Sequence, residues 1–567
     1  MPDKKKEEPK TAGPKPTASG SVPTAHGSKP MADEKELFWA DQLADKIISR
    51  AKFHYLDNPA PKLSEFVVKT SASLSGVLHI GRLSDTIRGA TVFKALKDAG
   101  AKARIIWVAE DMDPLRKVPA GVPKDYIKYL GMPVTDVPDS EGCHSSYAEH
   151  HKAKYFEVID RFVDSPLEKF SMREEYKKGN FNELIKAIIA HADEVREIQD
   201  RYRTNPLPKG WYPWQPICEN CGKIATTRVS KVEDGKAHYT CKDYYFETTK
   251  AEGCGHKGVA DPMGGEGKLA WKSEWAAQWA RWKVCSEGAG KEYQVPNSAF
   301  WINAEICEKI LSFPMPEPIF YEHLLIDNVK MSASVGNVIY PADWLEVALP
   351  EILRFFYNKR LMKTRSFSWQ FLPNLYDEFD EAARIYFGLD TEENKKEAEH
   401  IKRLYFISNN PGHIRKPVRM SYAHASVLCQ LFDKNEDIVA SLKKTGHYDR
   451  DVEDEIFDRI GKSRVWLAKH APAEAKFKLN EALPENLPLN DKQKEAMRAV
   501  AKILKQKEWD EKELGARLYE LCKELGIKSD EFYRAGYQVL LSRDKGPRLA
   551  GFLITLGERA RKLLEKV

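Results

Sequence analysis

The chain has 567 residues, about four times the length of a typical domain, so several hydrophobic cores are expected. Hydrophobic residues make up 42% and charged residues 31% of the chain, and no run approaches the ~18 apolar residues of a membrane-spanning helix, which excludes an integral membrane protein. The 89 Lys and Arg residues against 84 Asp and Glu residues give a net charge of +5, too small to identify a nucleic-acid-binding protein but compatible with a local basic face.

Residues 1–32 are rich in Lys, Glu, Pro, Gly, Ser and Thr and have no hydrophobic period, which predicts a disordered N-terminal tail. The tail lacks the apolar segment of a signal peptide, so we expect a reducing, cytoplasmic location. In that compartment the nine cysteines are more typical of free thiols or metal ligands than of a disulfide framework.

A strand, a glycine-containing turn, a helix and a second strand are predicted after the tail. The strands are EFVVKTSAS at 65–73 and ARIIWVAED at 103–111, and the intervening helix ends at Gly100. This order is typical of a right-handed parallel βαβ unit, whose loops bind ligands. We expect residues 33–135 and 263–345 to form the two halves of a Rossmann-type α/β domain.

The character of the sequence changes twice after this unit. Residues 136–262 are irregular and include a Pro-, Trp- and Cys-rich stretch at 206–258, which indicates an insertion into the α/β domain. From residue 346 onward apolar residues repeat at helical spacing, for example between 514 and 525. The predicted fold class is therefore an α/β catalytic domain with a cysteine-rich insertion, followed by an all-helical C-terminal domain.

The insertion contains a predicted metal site. Cys218 and Cys221 have the spacing of a zinc knuckle, and Cys241 and Cys254 supply two further thiolates. This pattern predicts a tetrahedral structural zinc site with four Cys ligands, and His256 is the alternative to Cys254. The competing interpretation is a pair of buried thiols with chance neighbours.

His79 lies between Gly76 and Gly81 in the turn that joins the first predicted strand to its helix. Amides at a helix N-terminus attract phosphate, and glycine allows a ligand to approach the backbone closely. The pattern predicts a nucleotide-binding turn, although a single His in a turn is also typical of a structural hydrogen bond.

About 250 residues later, Lys330 and Met331 precede the hydroxyl residues Ser332 and Ser334, a loop suited to polyphosphate oxygens. In isolation such a loop is common. Together, however, the two loops resemble the HIGH and KMSKS signatures of class I aminoacyl-tRNA synthetases.

The segments at 111–150, 374–388 and 545–553 further resemble the archaeal-type class I lysyl-tRNA synthetases, and the resemblance covers essentially the whole chain after the tail. It implies that the protein attaches lysine to tRNA(Lys) through a lysyl-adenylate, using ATP and Mg²⁺, as a monomer with no DNA or membrane partner. It also implies a stem-contact region at 346–399 and an α-helical anticodon-binding domain at 400–567.

The resemblance assigns roles to the residues of both loops. His79 and the amides behind Gly81 would stabilise the α-phosphate, and Lys330 would hold the leaving phosphates. The ATP site then consists of Gly76, His79, Gly81, Lys330, Met331, Ser332 and Ser334.

A lysine pocket is implied in the same way, with the residues Ser71, Ser73, Glu274, Trp275 and Tyr293. A carboxylate beside aromatic faces suits an ammonium group. The alternative for the tryptophans is a helix core, since they repeat at a spacing of four.

The family also carries a second structural zinc ion, which the resemblance assigns to Asp139, Cys143, His144 and His150. By its pattern alone this segment is more typical of a polar helix start than of a metal site. Four protein ligands leave no open coordination position, so either zinc would brace the insertion rather than act on substrate.

Four positions depart from the family pattern. Arg82 ends the HIGH motif, Val335 lies where a lysine is expected after KMS, Tyr293 replaces a pocket histidine, and Lys69 replaces a carboxylate. The departures at Arg82, Val335 and Tyr293 motivate a second hypothesis, a noncatalytic tRNA-binding paralogue. A nucleotidyl transferase acting on a small molecule is disfavoured because it would not require the helical C-terminal domain.

Overall fold

The computed structural model describes residues 38–567, apart from Ser75, Val77, Ala120, 332–336, Pro411, His413 and Arg415. The predicted tail and the loop residues Ser332, Ser334 and Val335 therefore lie outside the described residues. Among the helices of the described part, none combines the length and apolar character that a membrane crossing requires.

The first part of the chain alternates helices and strands, and its elements are α1 (Trp39–Ile48), β1 (Phe66–Ser73), α2 (Ile80–Asp98), β2 (Ala103–Glu110), α3 (Tyr147–Val163), β3 (Leu167–Ser171), α4 (Met172–Lys177), α5 (Asn182–Ala190) and α6 (Ala192–Asp200). Short strands follow, which are β4 (Trp214–Pro216), β5 (Thr227–Glu233), β6 (Lys236–Cys241), β7 (Tyr244–Tyr245), β8 (Lys250–Ala251), β9 (Lys257–Ala260) and β10 (Gly267–Leu269).

The chain then returns to longer elements, which are α7 (Trp271–Trp282), β11 (Val284–Gly290), α8 (Ala299–Lys309), β12 (Glu317–Tyr321), β13 (Leu324–Ile326), β14 (Val329–Lys330), α9 (Pro341–Val347), α10 (Pro350–Asn358) and β15 (Arg365–Phe367). The C-terminal helices are α11 (Leu372–Tyr386), α12 (Lys395–Ser408), α13 (Tyr422–Leu431), α14 (Asn435–Lys444), α15 (Glu453–Lys469), α16 (Asp491–Leu504), α17 (Glu511–Glu524), α18 (Ser529–Leu541), α19 (Leu549–Leu556) and α20 (Glu558–Glu565).

Five parallel strands form the central sheet in the order β12-β11-β1-β2-β3, which confirms the predicted α/β fold class. Side chains alternate across β1, so Val68 packs in a core shared with α2 and Val67 in a second core shared with α7. Because the strands are parallel, β1, β2 and β11 all end at one edge, with Ser73, Glu110 and Gly290. Ligands of open α/β sheets bind at this edge.

The fifth strand, β3, comes from the segment 136–262 that was predicted to be an insertion. It pairs with Ile105–Ala109 of β2 at the margin of the central sheet. Its residues are partly or fully exposed, so it lacks the continuous apolar run that marks a buried parallel strand in a sequence. The cysteine-rich part of the segment forms a separate antiparallel sheet, β5-β6-β9.

From Leu372 to the C-terminus the described residues form helices and no strand, which confirms the predicted helical region. Helices α13 to α15 enclose one core that contains Leu428 and Ile460, and helices α16 to α20 enclose another that contains Leu518 and Phe552. The helical periodicity of the sequence thus corresponds to buried faces in two successive bundles.

A buried ion pair joins α11 to α15. Arg459 donates from Nη1 to Asp380 Oδ2 at 2.6 Å and from Nη2 to Oδ1 at 2.9 Å. Nη1 also donates to the carbonyl of Met420 at 2.8 Å. Both charged side chains are buried, so each depends on the other for compensation of its charge.

Replacing Arg459 with methionine is expected to lower the free energy of unfolding by about 3–5 kcal/mol, because Asp380 would remain buried without its partner. Thermal unfolding followed by circular dichroism measures the change. The exposed pair between Lys416 and Asp451 is the control, and Lys416→Met should leave the melting temperature unchanged. Similar shifts for the two variants would contradict the prediction.

Candidate functional site

The turn after β1 places His79 at the N-terminus of the 19-residue helix α2. Its Nδ1 accepts a hydrogen bond from the amide of Gly81 at 3.1 Å, so in the neutral ring the proton lies on Nε2. Burial, assisted by the charge of Arg82, lowers the pKa of His79 to about 4, and the ring is therefore neutral at pH 7. A neutral Nε2–H at a helix N-terminus can donate to an anion.

The two predicted loops meet at Gly81. A Cβ atom at this position would lie 2.7 Å from Cε of Met331 and 2.9 Å from the ring of His79, so the contact requires glycine. The amide of Ile80 also donates to the carbonyl of Ile339 at 2.9 Å, which ties the start of α2 to the chain beyond the second loop. The structure therefore brings together His79, Gly81 and Met331, whose roles in catalysis remain predictions.

Lys330 ends the short strand β14 with an exposed side chain, and its carbonyl accepts a hydrogen bond from Asn337 at 3.1 Å. Ser332 and Ser334, which were predicted to contact ATP, lie outside the described residues. Gly76 precedes His79, and the space that a side chain at Gly76 would fill is open. This opening leaves room for a ligand group beside the turn.

Aromatic side chains cover the face of β1 opposite α2. Trp275 stacks on Trp271 with a centroid distance of 4.9 Å and meets Tyr293 edge-on at 5.4 Å. Trp279 packs on Phe300 at 5.1 Å. Trp275 and Trp279 belong to the buried core, whereas Trp271 and Tyr293 are partly exposed. The tryptophan repeat is thus part of a helix core that extends to the surface. We call these side chains, Trp271, Trp275, Trp279 and Tyr293, the aromatic wall.

The predicted pocket residues Ser71 and Ser73 lie on the same face of β1 as Val67, because side chains alternate along a strand. Both serines are partly exposed at the carboxyl end of the strand. They are therefore placed between the aromatic wall and the turn that holds His79.

Glu274 was predicted to face a lysine ammonium group, but the structure gives this carboxylate two protein partners. Its Oε2 lies 2.7 Å from Nζ of Lys268, and its Oε1 accepts from the hydroxyl of Tyr176 at 2.6 Å. Lys268 also donates to Asp113 at 2.9 Å. Glu274 is fully buried, so its carboxylate serves the protein's own charge network.

Asp85 is a carboxylate of the site that the sequence analysis missed. It lies in α2, and among the described residues its hydrogen-bond donors are the amide of Ser71 and the hydroxyl of Tyr321, both at the long distance of 3.4 Å. A Cβ at Gly288 would lie 2.0 Å from Asp85 Oδ1, so this glycine leaves room for the carboxylate. Burial, reinforced by the nearby Glu287, raises the pKa of Asp85 to about 7.

Asp85 can be recognised as a candidate because α2 is buried on nearly all sides, and its buried residues include the polar Ser84, Asp85, Thr86 and Arg88. A buried carboxylate one turn beyond the nucleotide-binding motif is a candidate for a functional group, because burial without a strong partner is costly.

Four thiols of the insertion converge. The Sγ atoms of Cys218, Cys221, Cys241 and Cys254 all lie within 4.8 Å of one another, which makes this a four-Cys candidate metal site. His256, the predicted alternative ligand, instead forms a pair with Glu219, with 2.6 Å between Nε2 and Oε1. The geometry therefore places Cys254 in the cluster.

The second predicted ligand set also converges, at the start of α3. One ligand atom from each of Asp139, Cys143, His144 and His150 lies within 4.8 Å of the others. Sγ of Cys143 is 3.0 Å from Nδ1 of His144 and 3.2 Å from Nδ1 of His150. Asp139 accepts hydrogen bonds from the amides of Cys143 and His144, which fixes the loop around the cluster.

The family model described as tRNA synthetases class I (K) matches residues 37–410. A lysine--tRNA ligase of Methanocaldococcus jannaschii is 32% identical over 539 residues, which cover 92% of this chain and 98% of the relative. A lysine--tRNA ligase of Thermococcus kodakarensis is 34% identical over 536 residues, with 91% and 97% covered. That of Methanosphaera stadtmanae is 29% identical over 538 residues, with the same coverage of 91% and 97%.

Proposed function

Because the chain belongs to the class I (K) tRNA synthetases, we propose that it is a lysine--tRNA ligase. The carboxylate of lysine attacks the α-phosphate of ATP, which gives lysyl-adenylate and releases pyrophosphate. The terminal ribose 2′-hydroxyl of tRNA(Lys) then takes the lysyl group and releases AMP. The observation that carries this proposal is the contact between Gly81 and Met331, which unites two distant loops at the ligand-binding edge of the sheet.

His79 is proposed to act in the first step as a neutral hydrogen-bond donor. Its Nε2–H and the amides at the start of α2 would stabilise the charge that develops on the α-phosphate. Lys330 has an exposed ammonium group for the leaving pyrophosphate, and Mg²⁺ would screen the same charge. Arg82 is exposed on the same turn, so its guanidinium adds a further cation there.

Asp85 is proposed to bind the side-chain ammonium group of lysine. Three other buried carboxylates at this edge each have a closer protein partner than Asp85 has. Glu110 accepts from Gln278 at 2.9 Å, and Glu274 lies 2.7 Å from Lys268. Glu287 lies 2.6 Å from Lys69. Asp85, with two contacts at 3.4 Å, gains most from a cationic ligand.

The rest of the pocket is proposed to orient the substrate. Ser71 and Ser73 offer hydroxyl groups at the end of β1, and Trp275 and Tyr293 offer aromatic surface for the methylene chain. This arrangement keeps the predicted pocket residues and moves the ammonium contact from Glu274 to Asp85.

Zinc is the proposed metal of both clusters in the segment 136–262. Four thiolates suit tetrahedral zinc, and an Asp, a Cys and two His residues form a second four-ligand set. Each cluster uses four protein ligands, so the role of both is structural.

The helical region is proposed to bind tRNA(Lys). A cavity of about 550 Å³ lies between its helices, and its lining includes Arg384, Arg419, Arg548, His424 and Phe552. Guanidinium groups and aromatic faces are the usual partners of single-stranded RNA bases and phosphates. The C-terminal bundles are the part of the chain that a small-molecule acceptor would not require.

The proposed activity is tested by ATP–pyrophosphate exchange with and without tRNA(Lys). Exchange that depends on lysine is expected, with arginine and glutamate as inactive controls. Absence of exchange by a protein that binds tRNA(Lys) would contradict the ligase and support the noncatalytic paralogue, to which Val335 points.

Asp85→Asn is expected to raise the KM for lysine by roughly 100-fold, since loss of one partner of a buried charge pair costs about 2–5 kcal/mol. In the unaltered protein this KM should also rise as the pH falls from 8 to 6, because protonated Asp85 does not attract a cation. The variant should lose that pH dependence. Asp98→Asn, at the exposed far end of α2, is the control, and an equal KM change in both variants would contradict the assignment.

Metal analysis of the purified protein is expected to find two equivalents of zinc. Cys221→Ser should remove one equivalent, because it deletes a ligand of the four-Cys cluster. His256→Ala should retain both, because His256 pairs with Glu219. Loss of zinc in the His256 variant would contradict the four-Cys assignment.

A further inference from the structure

Lys69 is a fully buried lysine on the face of β1 that carries Ser71 and Ser73. Its ammonium group lies 2.6 Å from Oε1 of Glu287 on β11 and 3.7 Å from Oε1 of Glu110 on β2. One cation in the central strand is thus shared by carboxylates from both neighbouring strands. Two residues further along β1, the amide of Ser71 donates to Asp85.

Glu287 connects this cation to the aromatic wall. Its second oxygen accepts hydrogen bonds from Nε1 of Trp275 at 2.8 Å and from Nε1 of Trp279 at 2.5 Å. With the ammonium of Lys69, the carboxylate has three donors and little capacity for a ligand. The charge of Lys69 therefore helps to hold the two indole rings in place.

Glu287 is also next to Gly288, the residue that makes room for Asp85. The charge of Glu287 opposes the ionisation of Asp85, whereas the charge of Lys69 favours it. The remaining titratable groups around Asp85 are Arg88 on its own helix, Tyr321 on β12 and Tyr155 on α3. Lys69 is thus the cation that offsets the charge of Glu287, the carboxylate of β11 that lies nearest to Asp85.

We propose that Lys69 is a positioning residue for amino-acid selection, which neutralises Glu287 so that Asp85 receives the ammonium group of the substrate. This inference rests on the proposed function and extends it, because it assigns a role to a buried cation that has no contact with substrate. An unpaired lysine would repel a cationic amino acid, but Lys69 is paired with Glu287 and so leaves Asp85 available to the substrate.

The test compares Lys69→Met, Lys69→Arg and the double variant Lys69→Met/Glu287→Gln in lysine-dependent ATP–pyrophosphate exchange. In Lys69→Met the KM for lysine at pH 7 should rise about 5-fold, as expected if the pKa of Asp85 rises from about 7 to about 8 and the ionised fraction falls accordingly. The kcat should change less than about 3-fold, because Asp85 binds the ground state and the transition state alike. The KM increase should shrink between pH 7 and pH 8.5, where Asp85 is again ionised.

The other two variants separate charge from packing. Lys69→Arg keeps the cation, so its KM should keep the pH dependence of the unaltered protein. The double variant removes both charges and leaves an amide oxygen for the indole donors, so its KM at pH 7 should return to within about 3-fold of the original value. If Lys69→Met does not fold, the dependence of the KM for lysine on pH in the double variant decides the question. A midpoint of that dependence at higher pH than in the unaltered protein would overturn the proposal.

An unchanged KM in Lys69→Met, or a fall in kcat alone, would also overturn the role of Lys69 while leaving the proposed function intact. The converse result is equally distinct, because absence of lysine-dependent exchange in the unaltered protein would contradict the proposed function itself.

Discussion

Because β1 pairs in parallel with both β2 and β11, the carboxyl ends of three strands meet at one edge of the sheet, and the candidate site is built on that edge. The turn after β1 delivers His79 to the start of α2. The chain after β12 returns Lys330 and Met331 to the same place. A helix N-terminus, an exposed lysine and an aromatic wall thus come together from segments that are distant in the chain.

The same edge concentrates charge in a buried environment, and most of it is paired. Lys69 serves Glu287 and Glu110, and Lys268 serves Glu274 and Asp113. Desolvation makes unpaired buried charge expensive, so such pairing is what the fold requires. Asp85 is held more weakly, by two hydrogen bonds at 3.4 Å, which is the reason for proposing it as the partner of a cationic substrate.

The cysteine-rich module depends on another source of stability. Its buried cluster consists of Cys218, Tyr239 and Cys241, which is too small to support a sheet with many exposed residues. A metal ion held by the four-Cys cluster would supply the constraint that such a module lacks, since binding of an ion couples directly to folding. The helical bundles need no such device, because each encloses an apolar core of its own.

The sequence by itself determined the features that have a local period or spacing. The alternation of strand and helix around β1 and α2, the helical C-terminal region and the cysteine spacing all appear in the structure where the pattern predicts them. Only the tertiary structure decided that the half-exposed strand β3 joins the central sheet and that Glu274 is bound by Lys268. It alone also placed Asp85 beside Tyr321. These outcomes depend on contacts between residues that are distant in the chain, and a local pattern carries no information about which distant partner will neutralise a buried charge.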